Sequence, residues 1–398
     1  MLGRASALAK RTLSVLRWGV HDLLTPPPGN VPGLDVLRGL AILLVISTHF
    51  EGDFAARTHP LAIGAFPLFY FGWTGVDLFF VLSGYLIGRQ LWRELVRHNT
   101  IDVPRFLLRR GLRIWPFYFA FLAWSYVWWR KTDSAFLPDV FFLSNYRHGA
   151  IAGGWSLSTE EQFYIFLPLL LLSLSLVIRV RRQILIVVGL LLAMPVLRLL
   201  TLHAHPGVTD QEQLSWLIQM PFHTHADGLL AGVLISWLSV LRPEFLKPLP
   251  PGRNVLLPVA LAIAGVCLRL INPRLFSFSS LALIFGGMTL FVLRDRSLFS
   301  RLASSRGFYV TSRLSYGMYL NHFRVLWLCM PFLVGSGTGN PYLRFFLGYP
   351  FVILASMVVA AITFLTIESP FLQLRDRWLQ RRRSTAPATA WKQPAAVE

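Results

Sequence analysis

Apolar runs of about 20 residues recur along most of this chain, and they restrict its fold more than any other feature. A helix of that length spans the roughly 30 Å hydrocarbon core of a bilayer. Of the 398 residues, 54% are hydrophobic and only 14% are charged, whereas about 25% of the residues in soluble proteins are charged. The sequence therefore predicts an all-α integral membrane protein with many spans.

We predict about ten transmembrane helices from the positions of these runs. They lie at roughly 33–51, 70–92, 111–129, 158–178, 183–202, 221–241, 254–271, 278–293, 312–333 and 344–367. Alternate loops differ in charge, since one set holds about 26 Lys and Arg residues and the other set only a handful. By the positive-inside rule both termini face the cytoplasm, which agrees with an even number of spans.

Three segments follow from this topology. Residues 1–32 form a cytoplasmic N-terminal segment, in which apolar residues at helical spacing favour an amphipathic helix on the membrane surface. Residues 33–372 form the ten-span domain, and residues 373–398 form a basic, disordered cytoplasmic tail. The N-terminal segment has no uninterrupted apolar run typical of a cleavable signal. We therefore expect a multi-pass protein of the cytoplasmic (inner) membrane.

The net charge of +19 could indicate a nucleic-acid partner. We exclude nucleic acid because the basic residues lie in clusters between apolar runs and do not form one stripe. Such clusters are typical of cytoplasmic loops that contact anionic lipids. Membrane lipids are therefore the expected partners of the basic loops.

The stretch RGLAILLVISTHF places Arg38 and His49 near the two ends of the first apolar run. Eleven helical steps put these side chains within about 20° of the same face and about 16 Å apart along the axis. Ionisable groups inside a membrane are costly, so both residues are site candidates. The structural alternative makes Arg38 a cytoplasmic anchor and His49 an interfacial residue.

Four further stretches carry polar side chains in or beside predicted spans. The candidates are Ser83 in FFVLSGYLIG, Arg109, Arg110 and Arg113 in FLLRRGLRIWPFYF, Glu160 and Glu161 in WSLSTEEQFYIFLP, and Tyr316 and His322 in SYGMYLNHF. The arginines could bind a polyanion, because a guanidinium grips phosphate through two hydrogen bonds. Three of these sets also have a structural interpretation: the serine as a contact between helices, the arginines as anchors and the glutamates as helix caps.

Four histidines, His203, His205, His223 and His225, form two H-x-H pairs. Zinc is a weak interpretation, because side chains two residues apart on a helix diverge and no cysteine accompanies them. We therefore expect no metal site. His225 and Asp227, near the start of the sixth predicted span, are better candidates for lining a cavity.

Six motifs, in this order, resemble the acyltransferase 3 family of membrane O-acyltransferases. They are Arg38 and His49 with ten residues between them, FFVLSGYLI, RRGLRIWPFY, WSLSTEEQFYIFLP, SYGMYLNH and IESP, over about residues 33–372. The resemblance implies ten spans and the transfer of an acyl group, commonly acetyl from acetyl-CoA, to a hydroxyl of a carbohydrate or glycolipid acceptor at the outer face. It also implies that Arg38 and His49 are essential.

The resemblance suggests how an acyl-CoA donor would bind. Its phosphates would contact Arg38 together with the three arginines at 109, 110 and 113. The pantetheine arm has a reach similar to the roughly 16 Å between Arg38 and His49. His49 would then act as general base on the acceptor hydroxyl, because an imidazole titrates near neutral pH.

The remaining candidates would assist this reaction. Glu160 or Glu161 would orient the imidazole of His49, as the third member of a triad does. Ser83, Tyr316 or His322 would donate a hydrogen bond to the developing oxyanion. In a variant of the mechanism, Ser83 or a tyrosine carries the acyl group covalently.

Two other classes of function use polar residues in spans. A transporter or flippase of glycolipids or small molecules would need them as well, but it predicts inverted repeats and charges at the midplane. The sequence shows no repeat, and its charges lie near the two surfaces. A receptor or scaffold would not need Arg38 and His49 on one helix face.

Overall fold

The computed structural model describes residues 2–57, 67–129, 133–250, 252–294, 305–334 and 340–385. Helices dominate these ranges, and no strand occurs in them. The helices are α1 Leu2–Leu24, α2 Pro32–Arg57, α3 Pro67–Tyr70, α4 Gly75–His98, α5 Val103–Trp129, α6 Asp133–Val140, α7 Gly154–Ser175, α8 Val180–Ala204, α9 Gln211–Leu214, α10 Asp227–Leu241, α11 Leu256–Ile271, α12 Pro273–Arg294, α13 Arg306–Val334, α14 Pro341–Thr363 and α15 Ser369–Thr385. The all-α architecture predicted from the sequence is confirmed for this part of the chain.

Each of the ten predicted spans overlaps one of these helices. Within the described ranges, five segments are long and apolar enough to cross a bilayer: α2, α8, Arg253–Ile271, α12, and Pro341–Trp378, which runs from α14 into α15. Helices α4, α5, α7 and α13 instead carry charged residues, and α10 is shorter. Ten spans and cytoplasmic termini therefore stay predictions, while several membrane-spanning helices are supported.

Helices α8, α11 and α14 lie at the periphery of the bundle and expose large apolar side chains. Leu192 of α8, Ile263 of α11 and Leu354 of α14 have 59–67% of their surface exposed. Water would penalise such a surface, whereas lipid chains accommodate it. The exposed faces of these helices are therefore lipid-facing surfaces.

The two terminal helices pack against the bundle. Helix α1, expected on the membrane surface, inserts Leu23 into the core formed by α2, α13 and α14. Its Val15 carbonyl accepts a hydrogen bond from Gln373 of α15 at 3.1 Å. Residues 373–385, expected to be disordered, are therefore helical because α1 and the bundle provide a packing partner, and residues 386–398 lie outside the described residues.

A close glycine contact joins α4 and α10 in the middle of the bundle. Both helices carry a G-x-x-x-G pattern, Gly84 and Gly88 in α4 and Gly228 and Gly232 in α10. A Cβ added at Gly84 would overlap the backbone carbonyl of Leu229, and one at Gly232 would overlap that of Val81. Because small residues let helix backbones approach closely in membranes, these glycines set the distance between the two helices.

Helix α2 occupies the centre of the bundle. It packs against α13 and α14 through Ile46 and Phe50, and against α4 and α12 through Leu37 and Ala41. Half of its 26 residues are buried, among them the polar Asp35 and Ser47. This position brings Arg38 and His49 toward helices distant in sequence.

We predict that Gly84→Ala destabilises the protein, because the new methyl group meets the backbone of α10 and neither helix can yield easily. The expected loss is about 1–3 kcal/mol, the usual cost of overpacking. Thermal unfolding in detergent, followed by tryptophan fluorescence, measures this change.

Gly189→Ala in α8 is the matched control, because nothing lies within 4 Å of the added Cβ. Alanine also has the higher helix propensity, so the control should be as stable as the native chain or slightly more stable. Equal unfolding midpoints for the two variants would show that α4 and α10 do not need glycine at their crossing.

Candidate active site

A cavity between α2, α4, α5, α7 and α13 gathers most of the polar residues that the sequence singles out. It has an empty volume of about 1020 Å³. Of the predicted site residues, its lining includes Arg38, Ser83, Arg110, Arg113, Glu160, Glu161 and Tyr316. A largely apolar pocket with few, convergent polar groups is typical of a ligand site.

Four guanidinium groups line this cavity. They belong to Arg38 of α2, Arg110 and Arg113 of α5, and Arg313 of α13. Arg38 lies close enough to Arg110 and Arg313 for their charges to repel one another. Arg313 is partly neutralised by an ion pair with Asp22 of α1. Positive charge concentrated in this way favours an anionic ligand, and phosphate suits guanidinium groups best.

The arginine set differs from the predicted one at two positions. Arg313 was not singled out, although it precedes Tyr316 by three residues and so shares that helix face. Arg109, which was predicted, does not line the cavity.

A hydrogen-bonded group on α4 and α7 forms the second polar feature of the cavity. The hydroxyls of Ser83 and Tyr164 both donate to the same carboxylate oxygen of Glu160. The two hydroxyl oxygens are 3.2 Å apart. The guanidinium of Arg110 lies 5.8 Å from the centre of the Tyr164 ring, so this group adjoins the arginine cluster.

The structure distinguishes the two adjacent glutamates. Glu161 accepts a hydrogen bond from the indole nitrogen of Trp115 at 3.0 Å through Oε2. Its Oε1 is buried and has no hydrogen-bond partner among the residues that the structure describes. Glu160 is the residue that contacts Ser83. Tyr316 donates its hydroxyl to the carbonyl of Ile114 at 2.9 Å, so the backbone engages its proton.

His49 and His322 form a pair that the sequence pattern did not predict. They come from α2 and α13, and their ring centroids are 5.2 Å apart. Phe323 contacts both rings, at 4.3 Å from His49 and 4.2 Å from His322. Neither histidine lines the arginine cavity, and neither forms a hydrogen bond to Glu160 or Glu161 in the described part of the chain.

The hydrogen bonds of His322 fix its tautomer. Its Nδ1 lies 2.6 Å from the carbonyl of Tyr319, which can only accept, so Nδ1 carries the proton. In the neutral ring, Nε2 then carries a lone pair and can accept a proton. This atom is buried and has no partner among the described residues. An oriented imidazole with a free lone pair is the arrangement of a general base.

Tyr319 links the histidine pair to the cavity. Its side chain lines the cavity, and its ring centroid lies 5.7 Å from that of His322. Its hydroxyl contacts Ser156 and donates to the carbonyl of Gly153 at 3.1 Å. Gly153 has φ +74°, a conformation that glycine adopts without strain.

A smaller pocket lies on the other side of this connection. It is lined by Phe121, Ala150, Ile151, Ala152, Leu320, Phe323 and Arg324. Phe323 thus contacts both the histidines and this pocket. The buried carboxylate of Asp139 fixes the wall of the pocket, because it accepts hydrogen bonds from the amides of Ala150 and Ile151 at 2.5 and 3.0 Å.

The prediction that His225 and Asp227 line the cavity is wrong. His225 pairs with Asp77 at 2.8 Å, and Asp227 pairs with Arg198 at 2.7 and 3.1 Å. All four side chains are buried and hold α4, α8 and α10 together. They face neighbouring helices because a charge in a bundle is stabilised by an opposite charge. The described residues contain no group of three or more His, Cys, Asp or Glu side chains that could hold a metal.

Comparison with known proteins gives one family and several relatives. The family model described as "Acyltransferase domain" (Acyl_transf_3) matches residues 31–365. Peptidoglycan O-acetyltransferase OatA of Listeria monocytogenes is 26% identical over 381 residues, which cover 85% of this chain and 55% of that protein. A Bacillus subtilis protein with the provisional name peptidoglycan O-acetyltransferase YrhL is 25% identical, over 92% of this chain and 59% of its own length.

A third relative, a provisionally named O-acetyltransferase of Staphylococcus aureus, is 31% identical over 175 residues, which cover 39% of this chain and 27% of that protein. The chain spans just over half the length of the first two relatives. No solved structure gives a significant match.

We predict that Arg198→Met destabilises the protein by about 3–5 kcal/mol, because Asp227 would be left buried without its counter-charge. Adding Asp227→Asn to this variant should restore part of the loss. The exposed pair Arg242–Glu244 provides the control, and Arg242→Met should cost less than about 1 kcal/mol. Similar losses from Arg198→Met and Arg242→Met in detergent unfolding would contradict a structural role for the buried pair.

Proposed function

The chain belongs to the acyltransferase 3 family, and from this premise we propose that it is a membrane O-acetyltransferase which moves acetyl from acetyl-CoA to a hydroxyl of a carbohydrate acceptor. The observation that carries this proposal is the arginine cavity. Four guanidiniums from three helices line a cavity that also holds the Ser83–Glu160 hydrogen bond. A phosphate-binding cluster and a candidate nucleophile thus share one ligand site.

The arginines would bind the phosphates of the donor. Coenzyme A carries several phosphate charges at one end and the thioester at the other. The lining holds two carboxylates, Glu160 and Glu161, and Asp22, Asp35 and Glu368 lie close to the arginines as well. A bound phosphate would offset the remaining repulsion among the guanidiniums. Arg38 remains the first candidate, and Arg110, Arg113 and Arg313 complete the cluster. Bidentate hydrogen bonds explain why arginine suits these positions.

The histidine pair would supply the base. In the direct mechanism, His49 or His322 accepts the proton of the acceptor hydroxyl as its oxygen attacks the thioester carbon. The carbon–sulfur bond then breaks, and the imidazolium returns the proton to the leaving thiolate. His322 has the oriented tautomer that this role needs, and His49 lies beside it.

Ser83 supports the covalent variant. Its hydroxyl proton is directed at Glu160. Glu160 would accept this proton while Ser83 Oγ attacks the thioester carbon, and it would return the proton to the CoA thiolate as the carbon–sulfur bond breaks. The resulting acyl-serine would pass acetyl to the acceptor in a second step. Labelled acetyl-CoA in a single turnover separates the two mechanisms, because only the covalent one leaves label on the protein before acceptor is added.

The acceptor would approach from the side opposite the arginines. The smaller pocket, which shares Phe323 with the histidine pair, provides an opening at that end. Two of the relatives are named peptidoglycan O-acetyltransferases, so a cell-wall glycan is a candidate acceptor for this chain. The uneven distribution of Lys and Arg among the loops supports donor binding at the cytoplasmic face and transfer at the outer face.

We predict that His49→Ala abolishes acetyl transfer and that His322→Ala lowers kcat by about 100-fold or more, the usual contribution of a general base. Arg38→Ala should instead mainly raise KM for acetyl-CoA, since it removes a phosphate contact and leaves the histidines in place. Initial rates with purified protein in nanodiscs measure both parameters.

Arg324→Ala, which changes an arginine outside the arginine cavity, is the control for donor binding and should leave KM for acetyl-CoA unchanged. Normal turnover by His49→Ala would reject the proposed base, and an unchanged KM in Arg38→Ala would reject the proposed phosphate contact.

A further inference from the structure

Helix α1 places a carboxylate beside one of the cavity arginines. The family model matches residues 31–365, so α1 precedes the matched segment. Asp22 lies in the last turn of α1 and forms an ion pair with Arg313 of α13, which lines the cavity. Asp22 itself is not part of the lining. An effect of Asp22 on a ligand in the cavity would therefore pass through Arg313.

The ion pair uses one edge of the guanidinium. Nε of Arg313 donates to Oδ2 of Asp22 at 3.1 Å, and Nη2 donates to the same oxygen. A guanidinium has five N–H donors, so this contact leaves Nη1 and the second N–H of Nη2 for another acceptor. The guanidinium carbon lies over the ring of Phe364, 5.3 Å from its centre. The protein thus fixes one edge and one face of Arg313, and the remaining edge can bind a phosphate.

Other contacts fix the position of Asp22. The hydroxyl of Tyr309 donates to its backbone carbonyl at 2.9 Å, and the neighbouring Leu23 is buried in the core. Further along α1, a Cβ added at Gly19 would lie 2.6 Å from Oγ of Ser369, so α1 and α15 approach closely there. The two ion-paired side chains are 16% and 26% exposed. A carboxylate held in this way restricts its flexible partner to one orientation.

Arg313 needs this support because the other cavity arginines repel it. The guanidiniums of Arg38 and Arg113 lie close enough to oppose its charge. Glu368 attracts it, but among the described residues only Asp22 is close enough to form an ion pair with it. Without Asp22, repulsion would favour rotamers that carry the guanidinium away from the cluster. The ion pair therefore holds Arg313 in the lining before a ligand binds.

We propose that Asp22 is a positioning residue for the acyl-CoA donor, because it holds Arg313 in the orientation that binds a phosphate. The inference rests on the proposed function, in which the arginine cavity binds the donor. It adds a segment outside the matched family domain to the donor site. A carboxylate that competed with phosphate for the guanidinium would have the opposite effect, so the sign of the change in affinity distinguishes the two roles.

Binding of coenzyme A to the full-length protein tests the proposal. The nanodiscs contain zwitterionic phosphatidylcholine, so that anionic lipid does not compete for the arginines. Asp22→Asn keeps the size of the side chain and removes its charge. Titration calorimetry should show about tenfold weaker binding, the effect of losing one charge-assisted contact. In acetyl transfer, KM for acetyl-CoA should rise while kcat stays near its native value, because the histidines are unchanged.

Asp53→Asn is the matched control. It removes the same charge from an ion pair with Arg57, near the end of α2 that carries His49. The affinity for coenzyme A should be unchanged in this variant. Thermal unfolding of each variant shows whether the protein remains folded.

A double-mutant cycle shows whether Asp22 acts through Arg313. Arg313→Gln should weaken the binding of coenzyme A at least as much as Asp22→Asn does. Adding Asp22→Asn to Arg313→Gln should cause no further loss, because the group that Asp22 positions is already gone. If the ion pair served only to dock α1, Asp22→Asn would lower the unfolding midpoint and leave the affinity of the folded protein unchanged.

Three results would overturn the proposal: unchanged affinity in Asp22→Asn, tighter binding in that variant, or additive losses in the double variant. Failure of the proposed function would look different. The native protein would then neither bind coenzyme A nor transfer acetyl, which would reject the donor site as a whole. Binding by the native protein that Asp22→Asn leaves unchanged would reject the role of Asp22 alone.

Discussion

A charge inside a bilayer is stable only where the protein provides what water would otherwise supply, and this constraint organises the whole bundle. Arg198 illustrates the satisfied case, with Asp227, Ser279 and two backbone carbonyls around one guanidinium. Asp77 and His225 form a second satisfied pair. These contacts hold helices together, and they leave no charge over for a ligand.

The arginine cavity is different, because its cations border an open space. Arg38, Arg110, Arg113 and Arg313 repel one another. Carboxylates offset this repulsion in part: Glu160 and Glu161 lie in the lining, Asp22 pairs with Arg313, and Asp35 and Glu368 lie near the cluster. A protein stabilises such an arrangement at a cost, because mutually repelling cations in a low-dielectric site oppose folding. The buried charge pairs Arg198–Asp227 and His225–Asp77 are matched within the protein and hold helices together. The arginines of the cavity instead border a space in which a ligand could bind.

Helix packing determines which polar residues meet. The glycine contact between α4 and α10 fixes α4, and Ser83, next to Gly84, is thereby placed at Glu160 of α7. Helix α2 packs against α13, which brings His49 to His322. Arg38 and His49 lie on one helix, α2, as their spacing predicts, and Glu160 lies on α7. The pattern could not show that Arg38 faces the cavity while His49 faces a second histidine, because both contacts depend on other helices, of which α13 is more than 250 residues away in the chain.

Hydrophobic periodicity and run length were enough to locate the helices that overlap the ten predicted spans, because each helix satisfies its own backbone hydrogen bonds and depends little on distant residues. Composition was likewise enough to indicate a membrane, and six ordered motifs were enough to indicate a family. Pairing of side chains could not be read in this way. Asp77 pairs with His225, and Glu160 with Ser83, only because backbones cross at particular distances and angles. Those distances are set by small residues at helix contacts, and one linear sequence does not state which contacts form.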